Sequence, residues 1–492
     1  MSDTDNDLAQ VAAVVVLAAG GGTRMKSKTS KLLHEVAGKP MLSYAVSAAA
    51  ALDPERLVVV VGHQREQVVA HLERLSEQVT TAVQDEQLGT GHAVACALEE
   101  LADLEGDVVV TYADVPMLAG DTLRQLVAVH RGRNNCVTVM TSRVADPTGY
   151  GRILRENDAV TGIVEDRDAT DEQRQIDEIN SGIYVFDAAT LREGLATLTT
   201  DNDQGEMYLT DVVRFCHERS QRVGAHLVDD VWQTEGVNDR IQLARVNQEM
   251  QRRIRDSWMI KGVTMIDPGS TFIDVDVDLA PDVLLHPGVI LQGATTIGEG
   301  AVIGPSTTLM DVEVGPGAEV VRTHGSFAVI GEGAVVGPFA YLRPGTILGR
   351  DGKIGSFVET KNAQIGADTK VPHLSYVGDA IVDEGANIGA GTIFANYDGV
   401  HKSKTHVGKA AFVGSNSVLV APVDIGAGAL VAAGSTITDD VPAGALGVAR
   451  GRQRNVEGWM ARVRPDSKQA AAAAESDGTV HPAVIESREK KA

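Results

Sequence analysis

Positive charge is scarce in this 492-residue chain: 44 Lys and Arg stand against 67 Asp and Glu, a formal net charge of −23. Affinity for a nucleic-acid backbone rests on cations that neutralise phosphates, so this balance excludes a general phosphate-backbone binder. It leaves room for a small basic pocket around a single nucleotide. Aromatic residues are few, at 4%, and cysteine is scarcer, with Cys96, Cys136 and Cys216 only. Their spacing fits neither a disulfide framework nor a metal site, and they read as reduced thiols of a cytosolic protein. Long apolar runs are missing too. The run from Val11 to Ala19 is too short to span a bilayer, and the start, MSDTDNDLAQ, is too acidic and polar for a signal peptide. The expectation is a cytoplasmic protein with no membrane and no nucleic-acid partner.

What the chain has in excess is glycine, 51 residues of it, and Val/Ile-rich segments. Its length predicts two domains with connectors. Over residues 1–238 buried-strand runs alternate with helical patterns, as βα units do. Val11–Leu17, Leu57–Val61, Val108–Tyr112 and Val137–Met140 are the predicted strands; Met41–Leu52 and His92–Leu104 are predicted helices. This is the pattern of an α/β, Rossmann-like domain whose mostly parallel sheet binds ligands at the carboxyl ends of its strands. Residues 239–260 form a linker helix without Gly or Pro, with Ile241, Leu243, Val246, Met250 and Ile254 on one stripe.

From residue 261 to 464 the period becomes six. Ile330, Val336, Leu342, Leu348 and Ile354 keep one phase; Val407, Val413, Leu419, Ile425, Val431 and Ile437 keep another. Six residues make one flat side of a triangular coil, with an aliphatic side chain inside and a small residue at the turn. Such hexapeptide repeats predict a left-handed parallel β-helix. The tail, 465–492, is an Ala run followed by polar residues, a composition that predicts no packed order.

The first strand runs into Leu17-Ala18-Ala19-Gly20-Gly21-Gly22-Thr23-Arg24-Met25. Glycines let backbone N–H groups approach a phosphate, and Arg24 can neutralise its charge. A dinucleotide fingerprint and a Walker A loop both need Gly where Met25 stands, so both are excluded. The loop resembles L-x-A-G-x-G-T-R-M of the sugar nucleotidyltransferases, with Lys31 following in Ser30-Lys31-Leu32-Leu33-His34. Further motifs keep that family's order: Gln84-Asp85-Glu86-Gln87-Leu88-Gly89-Thr90-Gly91-His92-Ala93, Tyr112-Ala113-Asp114-Val115-Pro116, Gly149-Tyr150-Gly151-Arg152-Ile153, Gly162-Ile163-Val164-Glu165 and Glu178-Ile179-Asn180-Ser181-Gly182.

Taken together, these motifs and the repeats resemble the bacterial bifunctional N-acetylglucosamine-1-phosphate uridyltransferase/glucosamine-1-phosphate acetyltransferases, of actinobacterial type, over all but the tail. The resemblance implies that Leu17, Ala18, Ala19, Gly20, Gln84, Gly89 and Thr90 hold the nucleotide of UTP, in a site that also includes Tyr112. It implies that Arg24 and Lys31 meet the phosphates, and that Gly151, Glu165 and Asn180 bind N-acetylglucosamine 1-phosphate. Asp114 and Asn238 would hold Mg²⁺. Those residue types suit phosphoryl transfer, in which positioning and charge neutralisation do most of the work. One departure is Ala113, where the family usually has Gly.

Polar clusters interrupt the repeats at Leu342-Arg343-Pro344-Gly345, Glu359-Thr360-Lys361, His373–Asp379 and Asn387–Thr392. Asn396-Tyr397-Asp398-Gly399 opens the longest break between phases, and loops on a solenoid are where chemistry collects. Acetylating an amine needs a base that leaves it a free lone pair, and a histidine serves near neutral pH. The resemblance makes His373 that base. It places glucosamine 1-phosphate at Arg343, Lys361, Tyr376 and Asn387, and acetyl-CoA along Ala390, Asn396, Tyr397, Ser415, Ala433 and Arg450. It further implies a homotrimer, with the Asn455–Trp459 segment near a neighbour's site. Acetyl transfer would precede uridylyl transfer. Two other readings are a nucleotidyltransferase with a merely regulatory or oligomerising β-helix, and a non-catalytic scaffold. His373, Lys361, Asn387 and Tyr397 argue against the first; Arg24, Lys31 and Asp114 argue against the second.

Overall fold

The computed structural model describes residues 10–489 except 76, 77, 102, 158 and 477; most of the acidic start lies outside them. The N-terminal sheet holds nine strands. Its elements are β1 (Ala13–Ala18), α1 (Met41–Ala50), β2 (Arg56–Val61), α2 (Arg65–Leu75), β3 (Val79–Val83), α3 (Thr90–Glu99), β4 (Asp107–Tyr112), α4 (Gly120–Gly132) and β5 (Val137–Arg143). Then follow the hairpin β6 (Arg152–Glu156) and β7 (Ala159–Val164), β8 (Glu178–Asp187), α5 (Ala188–Leu195), α6 (Asp211–Glu218) and β9 (Val223–Leu227). The main path runs β9-β5-β8-β4-β1-β2-β3, parallel except for β8, which is antiparallel to β4 and β5. Alternate residues of β1 face opposite ways: Val14 and Val16 pack with α1, α2 and α4, while Ala13 and Val15 pack with α3, α5 and α6. Continuous Val runs such as Val58–Val61 are therefore buried on both sides. The predicted helix at His92–Leu104 is shorter, Thr90–Glu99.

Helix α7 (Arg240–Ile260) is capped by Asp239, whose carboxylate accepts from the Ile241 and Gln242 amides at 2.9 Å each. Its stripe is not quite the predicted one. Val246 is buried among Val36, Met41, Met117 and Val237, with Leu243 and Met250 beside it, and Ile254 packs on the β-helix core. Ile241, expected on that stripe, is 73% exposed, because two residues turn a helix by about 200° and Ile241 therefore points away from the face that Leu243, Val246, Met250 and Ile254 share. A buried polar residue takes up the far side instead. Gln251 donates to Ile273 O at 2.8 Å and accepts from Ile273 N at 2.9 Å, which ties the helix to the first coil. Further ties between the two halves are Ala37 N to Asn247 Oδ1 at 2.8 Å, Val275 N to Ala37 O at 3.0 Å, and Lys39–Asp276.

From Thr264 to Gly447 the strands are short and all parallel, stacked in two large sheets. Leu284 pairs with Val302, Val335 with Lys353 and Phe412 with Leu430, the eighteen-residue step that three six-residue sides make. All eleven aliphatic residues of the two predicted phases are buried. Between Asn387 and Phe412 the step is seven residues longer, and the surplus is the loop that Asn396–Gly399 opens. Small hydroxyl residues line the inner corners: Thr295, Thr346, Thr392 and Ser417 donate to the carbonyls of Gln292, Arg343, Gly389 and Gly414. The buried corner carbonyls are thereby satisfied.

The tail departs from expectation. Two short helices, Lys468–Glu475 and Pro482–Glu489, stand where composition predicts no order. Alanine has the strongest intrinsic helix preference, and Ser467 caps the first by accepting from Ala470 N at 3.1 Å. Of that helix only Ala470 is buried.

Candidate active site

The glycine loop leaves β1 and closes in a single turn, Thr23–Met25. Gly22 takes φ +56°, and a Cβ there would meet the Lys31 Cβ at 2.8 Å, so the loop folds onto Lys31 only with glycine. Lys31 points inward, its side chain 9% exposed, with Nζ 2.5 Å from Asp114 Oδ2 and 3.2 Å from Asn238 Oδ1. Asp114 follows β4, where Ala113 N donates to Leu17 O at 3.0 Å and prolongs the ladder with β1. The Ala113 methyl is fully buried in the apolar cluster under the sheet, so the residue that departs from the family pattern is accommodated. Val237 N donates to Asp114 O at 2.9 Å, and Asn238 N to Gln242 Oε1 at 2.8 Å. The start of α7 thus delivers Asn238 to Asp114.

Two oxygens from separate elements converge on one cation, the Lys31 ammonium. A carboxylate and an amide oxygen are hard donors, and a pair of them suits a divalent ion that completes its shell with water and phosphate oxygens. The residues present therefore fit a divalent metal. Among the described residues no group of three or more His, Cys, Asp or Glu converges as a closed metal cage.

Two adjoining clefts meet at this point. The first is lined by Leu17, Ala18, Ala19, Gly20, Lys31, Gln84, Gly89, Thr90, Tyr112 and Asp114. The second shares Thr90, Tyr112 and Asp114 and adds Gly151, Glu165, Asn180 and Asn238. Arg24 stays exposed on its turn, outside the walls of both. Residues not singled out from sequence also line the clefts. Gln87, whose Nε2 donates to Ala19 O at 2.7 Å, and Tyr150 lie within quoted motifs; Glu206, Tyr208 and Thr210 belong to a segment without one.

Burial pushes the Glu165 carboxyl above its ordinary range, partly offset by the Thr210 hydroxyl, which donates to it at 3.2 Å. Burial, reinforced by the Asp114 and Glu165 charges, likewise holds the Tyr112 hydroxyl far above the usual phenol range, as a neutral donor. Asn180 Oδ1 accepts from Gly182 N and Tyr184 OH, each at 2.9 Å, which leaves its NH₂ end for a ligand in the cleft. A floor of hydrogen-bonding groups at one end and an apolar slot at the other suit a sugar and a base on either side of a phosphate chain.

On the β-helix the predicted residues fall in two rows. Arg343, Lys361 and Tyr376 lie on one outer face, where Tyr341, Glu359, Tyr376 and Ile393 stack in register and Lys361 pairs with Gly378. Arg343 Nη1 bonds Glu359 Oε1 at 2.8 Å, and the neighbouring Lys402 lowers the Lys361 ammonium below its ordinary value. Behind them Asp379 accepts from Asn362 at 2.8 Å and from Asn396. The other row climbs the adjacent corner. Gly391 N donates to His373 O, Asn416 N to Ala390 O and Gly434 N to Ser415 O, so His373, Ala390, Ser415 and Ala433 sit at successive storeys of one edge. Arg450 reaches the top, its Cδ 4.0 Å from the position of a Gly434 Cβ. Asn387 lies on the side leading into that corner, and Tyr397, 58% exposed, on the long loop.

Two adjoining clefts on a mostly parallel sheet, fused to a hexapeptide coil that carries a basic row and His373 at its corner, are the layout of a sugar nucleotidyltransferase joined to an acyltransferase. Residues 14–205 match the model of the MobA-like NTP transferase domain, and residues 404–439 that of the hexapeptide repeat of succinyl-transferase. Bifunctional protein GlmU of Corynebacterium aurimucosum is 52% identical over 94% of this chain and 96% of its own. The proteins of that name from Kineococcus radiotolerans and Mycolicibacterium gilvum are each 55% identical, over 95% and 94% of this chain and 96% and 94% of theirs. The chain belongs to the GlmU family, bifunctional enzymes of UDP-N-acetylglucosamine synthesis that acetylate glucosamine 1-phosphate and uridylylate the product. Among the described residues no helix is long and apolar enough to cross a membrane.

Proposed function

We propose that the two clefts around Asp114 are the uridylyltransfer site and that the His373 corner is the acetyltransfer site. The observation that carries the first assignment is the Lys31 ammonium held between Asp114 and Asn238. In this reading a phosphate oxygen of N-acetylglucosamine 1-phosphate attacks the α-phosphorus of UTP and pyrophosphate leaves. Leu17–Gly20, Gln84, Gly89 and Thr90 seat the nucleotide, and Gly151, Glu165 and Asn180 the sugar. Lys31, with Arg24 swung in from its exposed turn, meets the phosphates. Mg²⁺ held by Asp114 and Asn238 would supply charge neutralisation there.

At the coil, His373 takes the proton as the amine of glucosamine 1-phosphate attacks the thioester carbonyl and the coenzyme A thiolate leaves. Arg343 and Lys361 bind the sugar phosphate; Tyr376 and Asn387 flank the sugar. Ala390, Asn396, Tyr397, Ser415, Ala433 and Arg450 line the acetyl-CoA groove. The row at the corner is open on one side. A homotrimer that closes each groove with a neighbouring chain accounts for the exposed Phe339, Phe357 and Leu374 beside it. We place the units at 1–238, 239–260 and 261–464, with 465–492 as a tail, in a cytoplasmic enzyme.

The test supplies glucosamine 1-phosphate, acetyl-CoA, UTP and Mg²⁺ to the full chain and reads thiol and pyrophosphate separately. Both products are expected, with pyrophosphate dependent on acetyl-CoA. Pyrophosphate formed only from added N-acetylglucosamine 1-phosphate, with no thiol released, would remove the acetyltransfer assignment.

A further inference from the structure

Gln84 follows β3 and is 4% exposed, with its side chain in the wall of the first cleft. Its Nε2 donates to Gly89 O at 3.0 Å. A carbonyl only accepts, so the nitrogen end of the amide is fixed on that side. The same nitrogen lies 3.1 Å from His92 Nδ1. An amide nitrogen offers no lone pair, so Nδ1 must be the acceptor and the ring proton sits on Nε2. Nε2 faces Cys96 Sγ at 3.8 Å, one helical turn further along α3. Both hydrogens of the Gln84 amide are thereby used, while among the described residues no protein donor reaches its Oε1. What Gln84 presents to the cleft is an acceptor.

We infer that His92 is a positioning residue for base selectivity: it locks the Gln84 amide with its oxygen toward the base, and Cys96 holds the His92 tautomer that does so. Uracil carries N–H at ring position 3 and meets that oxygen as a donor. Cytosine carries a lone pair there and is repelled, the kind of mismatch that leaves buried acceptors unpaired. The inference rests on the reading of the first cleft as the nucleotide site. His92 touches neither base nor phosphate; it acts through Gln84.

The experiment measures pyrophosphate release by the full chain from UTP and from CTP, with N-acetylglucosamine 1-phosphate and Mg²⁺. Its readout is the ratio of the two kcat/KM values, which loss of packing alone would not move. His92→Leu keeps the bulk and removes the acceptor; the ratio should fall about tenfold, through the KM for UTP. His92→Asn, whose Oδ1 takes the place of Nδ1, should keep most of it. Pyrophosphate release retained at saturating UTP reports that the N-terminal half of each variant is folded. An unchanged ratio in His92→Leu, or equal loss in Asn and Leu variants, overturns the inference while leaving the base site intact if Gln84→Ala still lowers the ratio. If Gln84→Ala leaves the ratio unchanged, the base does not meet Gln84 and both readings fall.

Discussion

The two halves of the molecule assemble chemistry in opposite ways. In the N-terminal half the candidate residues come from several separate segments, and Lys31, Asp114 and Asn238 meet only because the ends of β1 and β4 and the start of α7 converge. In the β-helix the candidate residues recur in two rows of successive coils, one on a face and one at the adjacent corner, and within each row their order in space is their order in sequence. The first arrangement makes clefts in whose walls burial alters proton affinities, as at Glu165 and Tyr112. The second makes an open row, where the change at Lys361 comes from another exposed cation. Convergence favours electrostatic catalysis on a compact triphosphate; a row favours an elongated thioester ligand.

The sharpest way to break this comparison is Asp114→Ala. Uridylyl transfer should fall by about 10³-fold or more, with thiol release nearly unchanged; loss of both activities in a folded protein would mean that the halves do not work separately. His373→Ala is its mirror, expected to lower thiol release by about 10²–10⁴-fold and to leave pyrophosphate release from supplied N-acetylglucosamine 1-phosphate intact. Between the two sites, Gln251→Leu strands the Ile273 amide and carbonyl. Denaturant titration should show a loss of about 1–3 kcal/mol, with neither kcat moved by more than a few fold.

The smallest effect is a titration. Glu165 has its carboxyl raised by burial, so ionising it costs the folded state more than the unfolded one. Its contribution to folding stability declines as pH rises from the unfolded value of 4.5 through the folded pKa. Glu165→Gln should therefore raise Tm slightly near pH 8 and lose that advantage near pH 4. Sugar binding goes the other way if the carboxylate is the acceptor: KM for N-acetylglucosamine 1-phosphate should rise in acid for the native chain. In Glu165→Gln that rise should be smaller.

Legibility in the sequence follows the same division. The two phases of the coil were readable to the residue, because each inward aliphatic repeats a local rule and Ile330 to Ile354 need no partner elsewhere to be understood. The long loop at Asn396 was visible as a break in phase. The Thr and Ser corners were not, since their hydroxyls answer to carbonyls three residues back rather than to the apolar period. In the other half β1, β2, β4 and β5 were evident as Val runs, but β8 runs against its neighbours, and nothing local marks direction. The hairpin β6–β7 was visible only as motifs. Glu206, Tyr208 and Thr210 reach the clefts through tertiary packing with no motif of their own, and Ile241 failed as a stripe residue because its two-residue spacing from Leu243 turns it to the opposite face of α7.

A stack of coils has two ends, and each end exposes the inner residues of its last turn. Helix α7 stops one of them: Ile254 and Trp258 lie against the core that begins at Val263 and Met265. The connector is thus also a plug. A fragment begun after Ile260 would present an unpaired rung and an open apolar floor, and copies of it would pile end on end. A cut that leaves the whole helix with the coil keeps that floor covered.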